Sequence, residues 1–426
     1  MSANDHYVFP KKWLKNLITN RQILMKRLLF IDIKFPLLTG TFVYREVESL
    51  KRAGYDITTV SIATPDPDHI SKEAAHFLKT TIYLDRKGLL KKLWIQLPFL
   101  FKNFSAWINS FKTAIREPEI RGFSDRLRLI YHLILAGYLL SILKNRTFDH
   151  IHAPFLTSCT TIAYFVSQFL KIPFSFTMHA SNIYINPIML GTKMNSCKKC
   201  ITISKYNKKY LIEKYGRHLD KKIHIIHCGI DTEEFQASNE KKDTPPMILA
   251  VGQLTERKGF FYLLRAAALL RKKKIEFTCN IIGDGEEREK LITETSRLHI
   301  EDKVHFLGRL PQETVKKYLN RASIFVLPSI ITSSGGREGI PVALMEAMSM
   351  QLPVISTKTV GIPELIENGH EGFLVAEKNP IDLAEALERL LTDLELRSKF
   401  GINARWKVIK EFNIANNSLL FKSIFY

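Results

Sequence analysis

Apolar and polar positions follow two rhythms along this chain. Leu28–Ile33 is a short apolar run, the pattern of a strand buried on both faces. Phe42–Ala53 then alternates apolar and charged residues at helical spacing, Gly54 stops it, and Ile57–Ile62 is the next apolar run. With the loop Phe35-Pro36-Leu37-Leu38-Thr39-Gly40-Thr41 between them, these segments read as a β-α-β unit. The rhythm recurs with strands at Asp149–His152, Phe174–Met178, Lys199–Ile203 and Ile223–Ile226, and helices at Thr157–Leu170 and Lys205–Lys214. Gln236–Pro246 is polar, ends in Pro245-Pro246, and reads as a linker. A second series places strands at Met247–Val251, Phe277–Ile282, Val304–Phe306, Ile324–Leu327 and Val354–Ser356. Helices begin at Gly259, Glu286 and Pro341, and one spans Pro380–Leu391.

Two series of alternating strands and helices predict an α/β chain with two Rossmann-like, doubly wound parallel sheets facing across a cleft. Residues 1–235 form the first domain, with a basic lead-in over 1–27; 236–246 is the linker and 247–403 the second domain. In such folds ligands meet the carboxyl ends of strands. The 426-residue length and ordinary composition, 46% hydrophobic and 24% charged, suit two buried cores and exclude a disordered chain. The best charge-free run, Ala153–Leu170, is diluted by Thr, Ser, Cys and Gln, so no membrane-spanning helix is expected; the N-terminus has no short apolar stretch ending in a small-residue cleavage site, so no secretory signal is expected either. Five cysteines make no disulfide framework, and Cys197-x-x-Cys200 reads as two packed thiols.

Charge adds a direction. The net charge is +20: residues 1–235 hold 35 basic and 18 acidic residues, and 236–426 hold 27 and 24. An anionic partner is therefore expected to meet the first half. Residues 86–128 concentrate the effect, with ten Lys/Arg, three acids, and Trp94, Phe99, Phe101, Phe104, Trp107, Phe111 and Phe123 interleaved. This is either a helical pair packing its aromatics inward or a face for an anionic membrane surface. No nucleic-acid module is recognisable, so no nucleic-acid partner is expected.

The chemistry concentrates in the second series. Glu338-Gly339-Ile340-Pro341-Val342-Ala343-Leu344-Met345-Glu346 sets two carboxylates eight residues apart around a helix start. A carboxylate on so apolar a helix needs donors, which a ribose diol supplies, and a helix N-terminus suits a diphosphate. Gly252-Gln253-Leu254-Thr255-Glu256-Arg257-Lys258-Gly259 lies between a strand and a helix and brings Lys258 as a phosphate cation. Gly283-Asp284-Gly285 and Gly308-Arg309-Leu310-Pro311 end further strands, where bare backbone lets a base or ribose approach. Together they outline a nucleotide-diphosphate site at one rim of one sheet. Asp66-Pro67-Asp68 spells D-x-D but sits in a Pro-rich turn, which does not suit a metal. His179 ends a buried strand and, on its own residues, reads first as a satisfied core histidine; His152 stays open.

These motifs resemble glycosyltransferase family 4, of the GT-B fold. The resemblance is carried by Gly252–Gly259, Ile282–Gly285, Phe306–Gly308, Val326–Ser329, the Glu338/Glu346 pair and Gly361–Leu365. The first half is similar, more loosely, to exopolysaccharide transferases of the colanic acid type at Phe35–Phe42, Ile151–Ala153, Phe174–Ala180 and His227–Asp231. The resemblance implies a retaining, metal-independent hexosyl transfer, by same-face substitution, from a nucleotide-diphosphate sugar, UDP favoured over GDP. It makes 1–235 the acceptor domain, 247–403 the donor domain, and 404–426 a terminal helix returning to the first. It implies that Glu338 contacts donor-sugar hydroxyls, Glu346 the ribose, and Lys258 with the Gln253 position the diphosphate. Gly40, Gly252, Gly283, Arg309, Leu310, Gly339, Ile340 and Val342 line the donor, and His179 reaches the sugar from the opposite domain. The implied acceptor is a lipid-linked oligosaccharide or growing surface polysaccharide at the cytoplasmic face of the membrane, where the protein is peripheral. No cofactor or metal is implied. The chain departs from the family at Gln253 (usually Arg), Gly40 (Glu), Asn182 (Asp), Pro154 (often His) and Gln351 (Gly). Gln253 and Asn182 invite a weakened, sugar-nucleotide-binding scaffold as an alternative; a sugar-nucleotide epimerase or hydrolase on the same fold is another.

Overall fold

The computed structural model describes residues 26–37, 41–66, 70, 74–120, 122–143, 146–185, 187–238 and 241–425. Gly40, Pro67, Asp68, nearly all of the basic lead-in and the side chain of Asn182 lie outside this description.

Two wholly parallel sheets organise the chain. The first is built from β1 (Arg27–Lys34), β2 (Asp56–Ala63), β3 (Ile82–Tyr83), β4 (His150–Ala153), β5 (Phe174–Met178), β6 (Lys199–Thr202) and β7 (Ile223–Ile225), in the order β3-β2-β1-β4-β5-β6-β7. The second holds β8 (Met247–Val251), β9 (Thr278–Ile282), β10 (Val304–Phe306), β11 (Ile324–Leu327), β12 (Val354–Thr357) and β13 (Gly372–Val375), in the order β10-β9-β8-β11-β12-β13. The unbroken apolar runs follow from burial on both faces: Leu29 and Ile31 enter one core, Leu28 and Phe30 the core on the other side. The sequence reading omits β3 and β13. Both are edge strands; one has two residues and the other opens on Gly372, so neither carries a full apolar run.

Strand order reverses between β1 and β4 and between β8 and β11. Open α/β sheets bind ligands at such switch points, beyond the carboxyl strand ends. In the second sheet those ends continue into Gly252–Gly259 and into the segment from Pro328 to Pro341.

The glycines of this rim have a more specific reason than ligand approach. A Cβ on Gly283, whose φ is +141°, would lie 1.9 Å from the carbonyl oxygen of Gly252. One on Gly285 would lie 2.4 Å from that of Leu254, and one on Gly259, at φ +70°, 1.9 Å from that of Pro328. Each loop is seated backbone-to-backbone on its neighbour, so glycine is required before any ligand arrives.

The chain crosses back later than the sequence suggests. Residues 404–411 complete helix Leu394–Glu411, capped by Asp393 and held to the donor-side core by Ala404, Val408 and the following Phe412. Crossing begins at Asn413, where Ile414 N–H donates to the carbonyl of Ile230 and Ile230 N–H to that of Phe412, both at 2.9 Å. The following helix, Ile414–Lys422, leads to Phe421 and Phe425, which bury against His152 in the first domain. Cys197 and Cys200 are buried free thiols.

Gly283→Ala is expected to cost about 2–3 kcal/mol of stability, because residue 283 combines a positive φ with the Gly252 carbonyl. Gly308→Ala, at φ +69° with open space around it, is expected to cost about 1 kcal/mol. Urea denaturation midpoints of the two variants check the order.

Candidate functional site at the donor-side rim

The loop after β8 closes in a short 3₁₀ turn, Glu256–Lys258, and Gly259 turns the chain into helix Phe260–Lys272. The carbonyl of Arg257 accepts from Ile330 N–H at 2.9 Å, which pins this loop to the one leaving β11. Two cations thereby converge on one carboxylate. Arg257 Nε is 2.7 Å from Glu338 Oε1, and Lys258 Nζ is 3.1 Å from Glu338 Oε2. The Lys258 stem lies over Gly252, where a Cβ would meet its Cε at 3.3 Å. The structure thus brings together Gly252, Gly283, Lys258 and Glu338, and it adds Arg257. Gln253 stands exposed on the same loop.

Glu338 precedes helix Val342–Ser349, whose first turn leaves backbone N–H groups unpaired. Pro341 is the N-cap residue, one position before the helix proper. Val342 is exposed and Ile340 buried. Gly339 presses the acceptor half: a Cβ there would meet Ile203 Cδ1 at 2.7 Å and Ala180 Cβ at 3.1 Å. Arg309 is exposed and Leu310 half-buried beyond β10, the edge strand two places from β8. The loop they stand on joins this rim, with the Gly308 carbonyl accepting from Gly283 N–H at 2.9 Å.

Glu346 lies within the same helix. Burial, with Glu234 nearby as a second cause, pushes its carboxyl up to about 7. Glu234 is itself paired with Arg45 of the first domain at 2.8 Å and lies 3.7 Å from Lys316. Arg45 of the first domain thus pairs with the carboxylate that also raises Glu346, and nothing in the sequence pattern marked it.

His179 caps the short helix Ala180–Tyr184, with its ring 5.0 Å from that of Phe155 and Nδ1 3.7 Å from Cys228 Sγ. Burial pulls it down to about 4, so it is a neutral imidazole near pH 7. It lines a small cavity of about 40 Å³ with Glu46, Thr177, His227, Cys228 and Asn417. Glu46 was missed by sequence reasoning. It is buried, 3.7 Å from His152 Nε2, and its carboxyl is raised by burial and by Asp32. His152 is a satisfied core residue, with Nδ1 2.8 Å from Ser175 Oγ.

Polar contacts lock the two halves beside this rim. Glu364 accepts from Lys205 N–H at 2.9 Å and Tyr206 N–H at 3.0 Å, so a carboxylate of the second domain caps helix Lys205–Tyr215 of the first. Arg337 lies 4.2 Å over the Tyr184 ring.

Comparison with known proteins fits this geometry. Residues 39–234 match the model of Glycosyltransferase Family 4, and residues 231–407 that of glycosyl transferases group 1. A putative colanic acid biosynthesis glycosyltransferase of Salmonella typhimurium is 37% identical over 411 residues, covering 90% of this chain and 95% of that protein. The amylovoran biosynthesis glycosyltransferase AmsK of Erwinia amylovora is 40% identical over 193 residues, 45% of this chain and 47% of that protein. Anabaena Alr3699/HepE, solved in complex with UDP, has the same fold, with a TM-score of 0.67 at 16% identity over 93% of this chain and 98% of that one.

Glu346 makes stability depend on pH in a definite direction. Between about 4.5 and about 7 the folded chain holds a proton that the unfolded chain releases, so stability falls as pH rises through that window. Asp32, raised to about 7 by burial, contributes in the same sense. Glu346→Gln is expected to flatten the fall between pH 5 and 7.5 by about 1–3 kcal/mol, read from denaturation curves across that range. The chain belongs to glycosyltransferase family 4 and has the GT-B fold.

Proposed function

We propose that this chain transfers a hexosyl unit, with retention, from a nucleotide-diphosphate sugar to a lipid-linked or growing surface-polysaccharide acceptor. The observation that carries the reading is the Glu338 carboxylate gripped by Arg257 and Lys258 beside the N-terminus of helix Val342–Ser349. Transfer breaks the bond from the sugar's anomeric carbon to the diphosphate and leaves charge on the departing oxygens. Arg257, Lys258 and the helix N-terminus stabilise that charge, which supports a reaction without a metal ion. Arg257 supplies the cation that Gln253 lacks, and this favours an active enzyme over a scaffold.

Glu338 holds donor-sugar hydroxyls once the diphosphate takes its cations. Glu346 accepts from the ribose diol. Neutral His179 hydrogen-bonds the sugar from the acceptor side, and the leaving phosphate takes the acceptor hydroxyl's proton as the new bond forms on the same face. UDP is favoured as the carrier because HepE, of the same fold, was solved with UDP and with UDP-glucose. The polysaccharide acceptor is supported by the colanic acid and amylovoran names of the similar transferases. The charge of the first half, +17 of +20, fits a peripheral position at the anionic inner face of the cell membrane.

Calorimetry with UDP and GDP tests the reading. Micromolar binding of UDP is expected, weakened by about 1–3 kcal/mol in Glu346→Ala, with GDP weaker. Lys258→Ala is expected to lower transfer about 10²–10³-fold. Binding of neither nucleotide by folded protein overturns the proposal.

A further inference from the structure

Helix Leu89–Lys102 packs Ile95 and Phe99 on the first-domain core yet leaves a second apolar stripe outside. Its inward face carries Lys92 and Gln96, 4% and 1% exposed, with Gln96 packed so closely on helix Phe123–Ile142 that a Cβ on Gly137 would strike its Oε1. Its outward face carries Leu90, Trp94, Leu97 and Phe101, at i, i+4, i+7 and i+11, and three of these are 73–81% exposed. The neighbouring helix Phe123–Ile142 repeats the pattern with Phe123, Leu127 and Tyr131, at i, i+4 and i+8. Phe104 is exposed just past the end of the first helix. Of the nineteen exposed large apolar side chains among the described residues, eleven fall between Leu89 and Ile142. Exposed apolar side chains concentrated in stripes on two neighbouring helices mark a face with a non-aqueous neighbour.

We infer that the apolar stripes of helices Leu89–Lys102 and Phe123–Ile142 are the face by which this protein lies on an anionic lipid bilayer. Charge chooses this occupant. Lys87, Lys91, Lys102, Lys112, Arg116 and Arg128 are exposed around the stripes, and residues 86–128 hold ten cations against three acids. A bilayer takes the aromatic and leucine side chains at its interface and the cations at its headgroups. A second copy of this chain would set ten cations against ten cations, and lysine is depleted from protein interfaces. No helix among the described residues is long and apolar enough to cross a membrane, so the contact is interfacial. The inference rests on the lipid-borne acceptor proposed above for its purpose, and on exposure and charge for its evidence.

Co-sedimentation of the full chain with vesicles of phosphatidylcholine, with and without phosphatidylglycerol, tests it. Binding is expected with phosphatidylglycerol and is weakened at least about tenfold in Trp94→Glu/Phe101→Glu. Lys91→Glu/Lys102→Glu is expected to lose the preference for the anionic lipid. Both pairs are solvent-facing and far from the nucleotide rim in sequence, so UDP binding by the variants reports folding and separates this result from the donor reading. Absence of vesicle binding by folded wild type, or binding indifferent to both pairs, overturns the inference. Concentration-dependent dimers abolished by Trp94→Glu/Phe101→Glu would assign the face to a second copy and overturn it as well.

Discussion

The cleft is organised around one carboxylate shared by two cations. Glu338 lies 2.7 Å from Arg257 and 3.1 Å from Lys258, and all three side chains come from loops with few conformational choices. Glycines seated on neighbouring carbonyls hold those loops, so the charges are in place before a ligand enters. Such preorganisation is what a site needs when charge develops on a departing diphosphate. In the proposed reaction a diphosphate takes both cations and frees the carboxylate toward hydroxyl groups.

The rest of the interface keeps this rim beside the acceptor half. Glu364 caps a helix of the opposite domain, Arg337 covers Tyr184, and Gly339 rests on Ala180 and Ile203. Each contact is made by a segment that follows a carboxyl strand end, so the rim and the contact between the two halves share the same segments. The terminal helix adds a second tie far along the chain, where Phe421 and Phe425 bury against His152.

Much of this was legible in the sequence because parallel strands buried on both faces leave unbroken apolar runs. Lys258, Glu338 and the glycine loops were legible from spacing around strand ends. Direction was not. Adjacency puts Arg257 beside Lys258 but does not aim it at Glu338, and nothing in the spacing pairs Arg45 with Glu234. Glycine at 283 and 285 reads as room for a ligand, whereas the carbonyls of Gly252 and Leu254 occupy that room. Helix Leu89–Lys102 shows the same limit. Its two faces are separable by spacing, yet spacing alone favours the apolar one as the core. The chain's return at Asn413, after 404, follows from burial of Ala404, Val408 and Phe412, which a charged helix pattern hides.

We propose that Glu338 holds Arg257 and Lys258 for a diphosphate. The deciding measurement is the affinity of UDP for Glu338→Gln set beside that for Arg257→Ala. Glu338→Gln is expected to bind UDP as tightly as wild type or tighter while transfer is lost, because both cations are freed. Arg257→Ala is expected to bind UDP about tenfold or more weakly. Equal loss of UDP affinity in both variants would contradict it, and would make the three residues a structural cluster.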